Sequence, residues 1–281
     1  IVVLGTEDGL EARLVPERGY DLEFLPKAPF PRRPNAAALR FPGAIRAAIV
    51  RAAEVIRVAR ADVVVGFGGY VATPAYLAAR RTRTPLVIHE QNARPGLANR
   101  LGARFTDHVA TTFASTPLHG ARVIGLPMRR EIGDLDRSAL RGEGLSHFGL
   151  REDRTTLLVF GGSLGAQRLN DTFAGAAAPL RAAGVQVLHL TGAGKPVEVP
   201  EDPDCPYIAA DYTDRMDLAY AVADLAVCRA GAGTVCELAA VGLPAIYVPL
   251  PIGNGEQRFN AADVVGAGGG LLVDDAEVTP G

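Results

Sequence analysis

Thr155-Thr156-Leu157-Leu158-Val159-Phe160-Gly161-Gly162-Ser163-Leu164-Gly165-Ala166-Gln167-Arg168-Leu169-Asn170 reads as a buried strand, a glycine turn and the first turn of a helix. Four apolar residues in a row suit a parallel strand covered on both faces. Gly161, Gly162 and Gly165 allow a tight turn and a close approach of ligand to main chain. The helix after the turn, near Gly165 to Phe173, aims its free N–H groups and positive dipole end into it, an arrangement that binds phosphate. A lone glycine signature of this kind also occurs as a plain strand-to-helix turn. The stretch is not a P-loop, lacking Gly-Lys-Ser/Thr, and not a standard dinucleotide fingerprint with an acid about 20 residues on.

The same unit recurs. Asp62–Val65 runs into Gly66-Phe67-Gly68-Gly69-Tyr70 and then a helix over about Thr73–Arg81. Leu225-Ala226-Val227-Cys228 runs into Arg229-Ala230-Gly231-Ala232-Gly233-Thr234 and a helix to about Val241. Pro85–Ile88 is a strand ending in His89-Glu90-Gln91-Asn92, polar residues at a strand end where open α/β sheets bind ligands. Further strands are expected at Ile1–Gly5, Tyr20–Phe24, Val109–Thr111, Val123–Ile124, Val185–Thr191, Tyr207–Ala209 and Pro244–Pro249. Helices are expected at Glu7–Pro16, Pro42–Arg60, Ser138–Phe148 and Met216–Ala223, and Gly253–Asn260 reads as a polar loop leading into a helix. This alternation predicts an α/β chain of two Rossmann-like domains, each a doubly wound parallel sheet with right-handed crossovers. The domains are placed at 1–128 and 129–281, with 129–153 as the polar connecting segment.

Length and composition agree with this. The 281 residues suit two domains, and 48% hydrophobic with 21% charged residues suits globular cores. No apolar run reaches the length of a membrane span, and no signal peptide is read. The chain opens directly on a strand at Ile1 and stops abruptly at Gly281, so it reads as truncated at both ends. Cys205, Cys228 and Cys236 are odd in number, at no metal spacing, and read as reduced cytosolic thiols. His89, His108, His119, His147 and His189 are scattered, so neither a fixed metal cage nor a cofactor is expected.

Charge is unevenly spread. Residues 1–130 hold 19 Lys+Arg against 10 Asp+Glu, a net +9, and residues 131–281 hold 10 against 21, a net −11. The basic half is suited to an anionic partner: nucleic acid, a membrane surface or a phosphorylated substrate. Its helix near Pro42–Arg60 carries Ile45, Ile49, Val55 and Ile56 at helical spacing among Arg46, Arg51, Arg57 and Arg60, after a loop with Leu39, Arg40 and Phe41. That pattern fits either a packed amphipathic helix or one lying on an anionic bilayer. In the acidic half, the turns Gly161–Gly165 and Gly231–Thr234 are expected to converge, with Glu237 in the first turn of its helix. That carboxylate either accepts from ribose hydroxyls or serves only the helix dipole. A nucleotide diphosphate in the second domain and an anionic partner in the first, across a cleft, is the division of labour of a nucleotide-sugar glycosyltransferase.

Taken together, these motifs resemble the MurG family, cytoplasmic, membrane-associated N-acetylglucosaminyltransferases of peptidoglycan synthesis. The resemblance runs through Leu4-Gly5-Thr6 with Leu14-Val15-Pro16, Gly66–Val71, His89–Asn92 with Gly96-Leu97-Ala98-Asn99, Gly161–Ala166, Cys228–Ala232 with Thr234 and Glu237, and Gly255-Glu256-Gln257 with Asn260-Ala261. It implies a GT-B fold and inversion by direct displacement. GlcNAc would pass from UDP-GlcNAc to an undecaprenyl-diphosphate-linked N-acetylmuramyl-pentapeptide at the cytoplasmic face of the bacterial membrane, with no nucleic acid involved. The donor site implied comprises Asn92, Arg129, Ser163, Thr213, Ala232, Gly233, Thr234, Val235, Cys236, Glu237 and Gln257. Ser163 and the Ala232–Thr234 segment would hold phosphate, Glu237 the ribose hydroxyls, Gln257 the GlcNAc hydroxyls and the Thr213 backbone the uracil. Gly68, Gly69 and Tyr70 would line the acceptor diphosphate, and the helix around Phe41–Val50 would face the membrane. The family's proposed general-base His belongs to a loop before Ile1, so no catalytic residue is assigned, and this chain is expected to bind donor but transfer sugar poorly. A UDP-GlcNAc 2-epimerase, a non-catalytic lipid-diphosphate binder and a transferase for another acceptor are the competing readings.

Overall fold

A computed structural model describes residues 1–28, 36–162 and 166–280, with side chains omitted for 36–40. Ser163, Leu164 and Gly165 lie outside the described residues. The chain divides into two compact units, Ile1–Gly125 and Leu126–Gly281.

Unit 1 contains β1 (Val2–Gly5), α1 (Glu11–Glu17), β2 (Asp21–Phe24), α2 (Ala36–Val58), β3 (Val64–Gly66), α3 (Ala72–Thr82), β4 (Leu86–Glu90), α4 (Leu97–Gly102), β5 (Val109–Thr111) and β6 (Arg122–Val123). One continuous sheet was expected. Among the described residues the strands instead form two parallel sheets, β1-β2 and β3-β4-β5-β6. Val65 on the edge strand β3 is 50% exposed. α2 starts earlier than its periodicity predicts, passing through Pro42. Ala36-Ala37-Ala38-Leu39 has high helix propensity, which favours these extra turns although Pro42 removes one hydrogen bond. The later turns of α2 bury Ala52, Ala53 and Ile56 against Leu25, Ala78 and Ala79. Arg51 is paired with Glu23 and Glu54, so this part of α2 is an ordinary packed helix.

Unit 2 contains α5 (Arg130–Gly133), α6 (Arg137–Phe148), β7 (Thr155–Phe160), α7 (Gln167–Gly175), α8 (Ala177–Ala182), β8 (Val185–Leu190), β9 (Tyr207–Ala210), α9 (Met216–Val222) and β10 (Leu225–Cys228). It continues with α10 (Ala232–Ala240), β11 (Ala245–Tyr247), α11 (Glu256–Asn260), α12 (Ala262–Gly266), β12 (Gly270–Leu272) and a 3₁₀ turn at Asp275–Glu277. Six parallel strands lie in the order β12-β11-β10-β7-β8-β9. The chain starts at the centre with β7, runs outward through β8 to β9, then crosses back to β10 and leaves through β11 and β12. β7 is flanked on both sides and buries Leu157, Leu158, Val159 and Phe160. Each such side chain contributes about 1.5–3 kcal/mol by leaving water.

Two expectations in unit 2 change. The segment read as a polar connection packs on the domain: α6 lies against α9 so closely that a Cβ at Gly144 would stand 2.5 Å from Val222 Cγ1. Its start is capped by the Asp136 carboxylate, which accepts from the Ala139 amide at 3.1 Å. Gln257, read as part of a loop, is on α11, whose N-cap Gly255 takes the left-handed conformation at φ +77°.

Candidate functional site

The reversal of direction between β7 and β10 makes a topological switch point, where open α/β sheets leave a ligand crevice outside the carboxyl ends of the strands. Phe160 at the end of β7 pairs in register with Cys228 at the end of β10, so the turns that follow both strands leave the sheet side by side. The turn after β7 carries Gly162 at φ +84°. The turn after β10, Arg229-Ala230-Gly231, leads into α10, with Gly231 as N-cap. Val235 N–H makes a helical bond to Gly231 O. The amides of Ala232, Gly233 and Thr234 precede that bond, so by helix geometry they have no intrahelical acceptor. They form an anion-binding end.

Glu237 is the sixth residue of α10, in its second turn rather than its first. Because the dipole's effect fades beyond the first turn, the reading in which Glu237 serves only the dipole loses its physical basis. Its side chain is 21% exposed, with Oε1 3.7 Å from Arg129 Nη2. Its Oε2 accepts from the Tyr220 hydroxyl at 2.7 Å. Arg129, the N-cap of α5, is thus gathered with Ala232–Glu237. Val235 is buried on the core side of α10, and Cys236 is partly buried, its thiol raised by burial and the Glu237 charge. α11 is tied to the same turn through Asn260 Nδ2, which donates to Ala230 O at 3.2 Å. On α11, Gln257 Oε1 accepts from Leu250 N–H at 2.9 Å, which leaves its Nε2 as the donor. Thr213 stands apart, past the outer strand β9, buried, with Oγ1 accepting from Arg215 N–H at 3.0 Å.

Below the β7 turn lies a buried polar network with no signal in the sequence. Asn170 on α7 donates to Thr191 O at 2.9 Å, which leaves its Oδ1 to accept from His189 Nε2 at 3.1 Å. His189 Nδ1 then accepts from the Tyr207 hydroxyl at 2.8 Å. This network fixes α7, and so the start of the helix after the turn, to the end of β8 and the start of β9. Burial depresses the His189 pKa to about 4, so the imidazole is neutral. The unfolded imidazole, with a pKa of roughly 6.5, binds a proton in the window from about 6.5 down to 4 while the folded one does not. Stability is therefore expected to fall as pH falls through that window, by up to about 3 kcal/mol from this group. Urea unfolding followed by circular dichroism at pH 7.5 and pH 5 checks this. The loss on acidification should be smaller in His189→Gln than in the native chain, and an equal loss removes His189 as its source.

In unit 1 the corresponding turn follows β3. Gly68 and Gly69 have φ +89° and +83°, which only glycine adopts without strain, and Tyr70 is 66% exposed. The Gly68 amide donates to the Tyr76 hydroxyl at 3.3 Å, and that hydroxyl donates to Asn99 Oδ1 at 2.7 Å. Asn99 Nδ2 donates in turn to Glu90 Oε2 at 2.9 Å. The buried Glu90 also accepts from the amides of Asn92 at 2.9 Å and Gly96 at 3.0 Å. One carboxylate thus holds the His89–Asn92 loop and, through Asn99 and Tyr76, the glycine turn. Asn92 belongs to this unit, with its carbonyl accepting from Thr116 Oγ1 at 3.1 Å. His89 Nε2 lies 2.9 Å from Gly125 O, a structural contact. Among the described residues no three His, Cys, Asp or Glu side chains are grouped to hold a metal ion. Among them, too, no helix is long and apolar enough to cross a membrane.

Sequence profiles of known families match both units. Residues 1–111 match the glycosyltransferase family 28 N-terminal domain, and residues 156–281 its C-terminal domain. The UDP-N-acetylglucosamine--N-acetylmuramyl-(pentapeptide) pyrophosphoryl-undecaprenol N-acetylglucosamine transferase of Leifsonia xyli subsp. xyli is 59% identical over 280 residues, covering 100% of this chain and 78% of that protein. The chain belongs to the MurG branch of glycosyltransferase family 28. The enzyme of the same name from Mycolicibacterium smegmatis is 56% identical, covering 99% of this chain and 74% of its own. Among solved structures, Acinetobacter baumannii MurG has a TM-score of 0.77 at 31% identity, covering 99% of this chain and 78% of that one. The calicheamicin glycosyltransferase CalG4 has a TM-score of 0.66 at 17% identity, covering 100% and 79%, a likeness of fold alone. The fold is GT-B, α/β with parallel sheets in two domains.

Proposed function

We propose that the donor nucleotide of this transferase binds at the switch point of unit 2 and the acceptor pyrophosphate at the Gly68–Tyr70 turn of unit 1. The protein is a UDP-N-acetylglucosamine-dependent N-acetylglucosaminyltransferase. It moves N-acetylglucosamine to undecaprenyl-pyrophosphoryl N-acetylmuramyl-pentapeptide in peptidoglycan synthesis. The observation that carries the placement of the donor is the N-terminus of α10 beside the β7 turn, with Glu237 one turn further along the same helix.

In this reading the first-turn amides of Ala232, Gly233 and Thr234 hold the diphosphate, and Ser163, outside the described residues, keeps the phosphate role that the family resemblance implies. Glu237 accepts from the ribose hydroxyls, and Arg129 beside it adds positive charge. Gln257 Nε2 donates to a hydroxyl of the sugar, and the Thr213 backbone meets the base. Val235 and Cys236 serve through their place in α10. An acceptor hydroxyl gives up its proton to a base and attacks the anomeric carbon, the bond from that carbon to the diphosphate oxygen breaks, UDP leaves as the anion, and the configuration inverts. The N-terminus of α10 stabilises the charge that develops on the departing diphosphate. With the Gly68 amide bonded to Tyr76, the turn offers the Gly69 and Tyr70 amides and the exposed Tyr70 phenol to the acceptor pyrophosphate.

The middle of α2 supports peripheral attachment to an anionic bilayer at the cytoplasmic face. Arg46 and Val50 are exposed there, on the more basic half of the chain. Flotation with vesicles containing anionic lipid, but not with neutral ones, is the expected behaviour, and equal flotation with both removes the electrostatic part.

The test of function is transfer of labelled N-acetylglucosamine from the UDP-sugar to a short-chain lipid-linked muramyl-pentapeptide by the chain extended to the length of its relatives, of which it spans 78% and 76%. Transfer is expected. Conversion of donor alone into its 2-epimer, without transfer, would instead mark an epimerase.

A further inference from the structure

Tyr220 on α9 is 1% exposed, yet its hydroxyl ends on Glu237, the carboxylate read as the ribose contact. The ring is held from several sides. It tilts at 57° against the Phe160 ring at the end of β7, with centroids 6.3 Å apart. The backbone behind it is anchored to α6: Arg137 Nε donates to Tyr220 O at 3.0 Å and Arg141 Nη1 to Val222 O at 2.8 Å. Arg137 also donates to Ala223 O. The phenol therefore cannot follow Glu237; Glu237 must adopt the rotamer that meets the phenol. Burial and the neighbouring carboxylate push the Tyr220 hydroxyl well above its ordinary range, so it is the donor of this bond. The other oxygen, Glu237 Oε1, is 3.7 Å from the half-exposed Arg129 side chain.

We propose that Tyr220 is a positioning residue for the donor site, fixing Glu237 so that its carboxylate is pre-aimed at the ribose and the site distinguishes ribonucleotides from those lacking the ribose hydroxyls. This rests on the reading of Glu237 as the ribose contact. A glutamate on a helix surface otherwise samples several rotamers and must be ordered each time a nucleotide binds. With Tyr220 in place that ordering is complete before binding. One oxygen is spoken for, and the free lone pairs face a single direction. The advantage appears only when ribose hydroxyls are there to use it.

Equilibrium binding of UDP and of 2′,3′-dideoxy-UDP to the chain tests this by calorimetry, in the native protein, Tyr220→Phe, Glu237→Ala and the double variant. Tyr220→Phe keeps the ring and deletes one hydroxyl. It is expected to weaken UDP about tenfold and to leave 2′,3′-dideoxy-UDP nearly unchanged, so that the ratio of the two affinities shrinks. The ratio is internal to each variant and is not altered by a loss of folded fraction. In the Glu237→Ala background, Tyr220→Phe is expected to have no further effect on UDP, because Tyr220 acts through Glu237. Equal weakening of both nucleotides, or an additive loss in the double variant, would show a merely structural Tyr220 and overturn the proposal. If the native chain binds both nucleotides alike and Glu237→Ala leaves UDP untouched, the ribose reading itself fails and takes the proposal with it. If Glu237→Ala costs UDP binding but Tyr220→Phe does not, only the role of Tyr220 is lost.

Discussion

Glu237→Ala is expected to lower kcat/KM for UDP-N-acetylglucosamine by about two to three orders of magnitude. A hydrogen bond to a charged group is worth about 1.5–3 kcal/mol, and two ribose hydroxyls meet this carboxylate in the proposed site. Losing both costs roughly 3–4 kcal/mol, at tenfold per 1.36 kcal/mol. The ribose lies away from the breaking bond and is held similarly before and during reaction, so most of the loss should fall on the donor KM. Glu237→Gln keeps one acceptor and should lose less, about tenfold. The lipid acceptor's KM should not move in either variant. Steady-state kinetics with both substrates varied decides this, and an unchanged donor KM in Glu237→Ala would falsify the assignment.

The largest effect on stability is expected at Asp275→Ala. Arg229, at the turn after β10, is buried, and its Nη1 donates to Val248 O at 3.1 Å and Pro249 O at 3.2 Å. Its charge is balanced by Asp275, 2.6 Å from Nη2, in the 3₁₀ turn near the end of the chain. The pair pins that turn to the exit of β10, beside the proposed phosphate site. Removing the carboxylate leaves a buried guanidinium without a counter-charge, at a cost of about 3–5 kcal/mol. In a unit of this size that is a melting temperature lower by roughly 10 °C. Arg168 also reaches Asp275, at 2.9 Å, but from a half-exposed side chain. Arg168→Ala should therefore cost about 1 kcal/mol or less. Thermal unfolding of the two variants separates these values. Similar small shifts in both would mean that water or another group compensates Arg229.

Local pattern made the α/β alternation legible. A run such as Leu157–Phe160 can be satisfied only inside a covered parallel strand, and a glycine turn before a helix announces itself by composition. The same logic gave the three strand–turn–helix units after β3, β7 and β10. It misplaced elements where local and tertiary preferences diverge. α2 runs on through Pro42 because its alanines favour helix. α6 looked like a connector because its polar face dominates the sequence, while its contact with α9 depends on one small residue, Gly144.

The candidate site divides in the same way. Residue types at strand ends, among them Glu237, Gln257 and the Gly68–Tyr70 turn, could be named from sequence and family resemblance, because backbone turns and helix starts are local. What supports them could not. Tyr220 meets Glu237, Asn170 meets His189 and Tyr207, Tyr76 links Gly68 to Asn99 and Glu90, and Arg229 meets Asp275. Each partner comes from a different element, and each is an unremarkable residue in its own stretch. The sequence by itself determined the order of strands and helices and where the backbone offers its amides, since both follow from short-range sterics and periodicity. Only the tertiary structure decided which side chains meet, and therefore which way the Glu237 carboxylate points. That is set by strand order, register and helix packing acting between residues far apart in the chain.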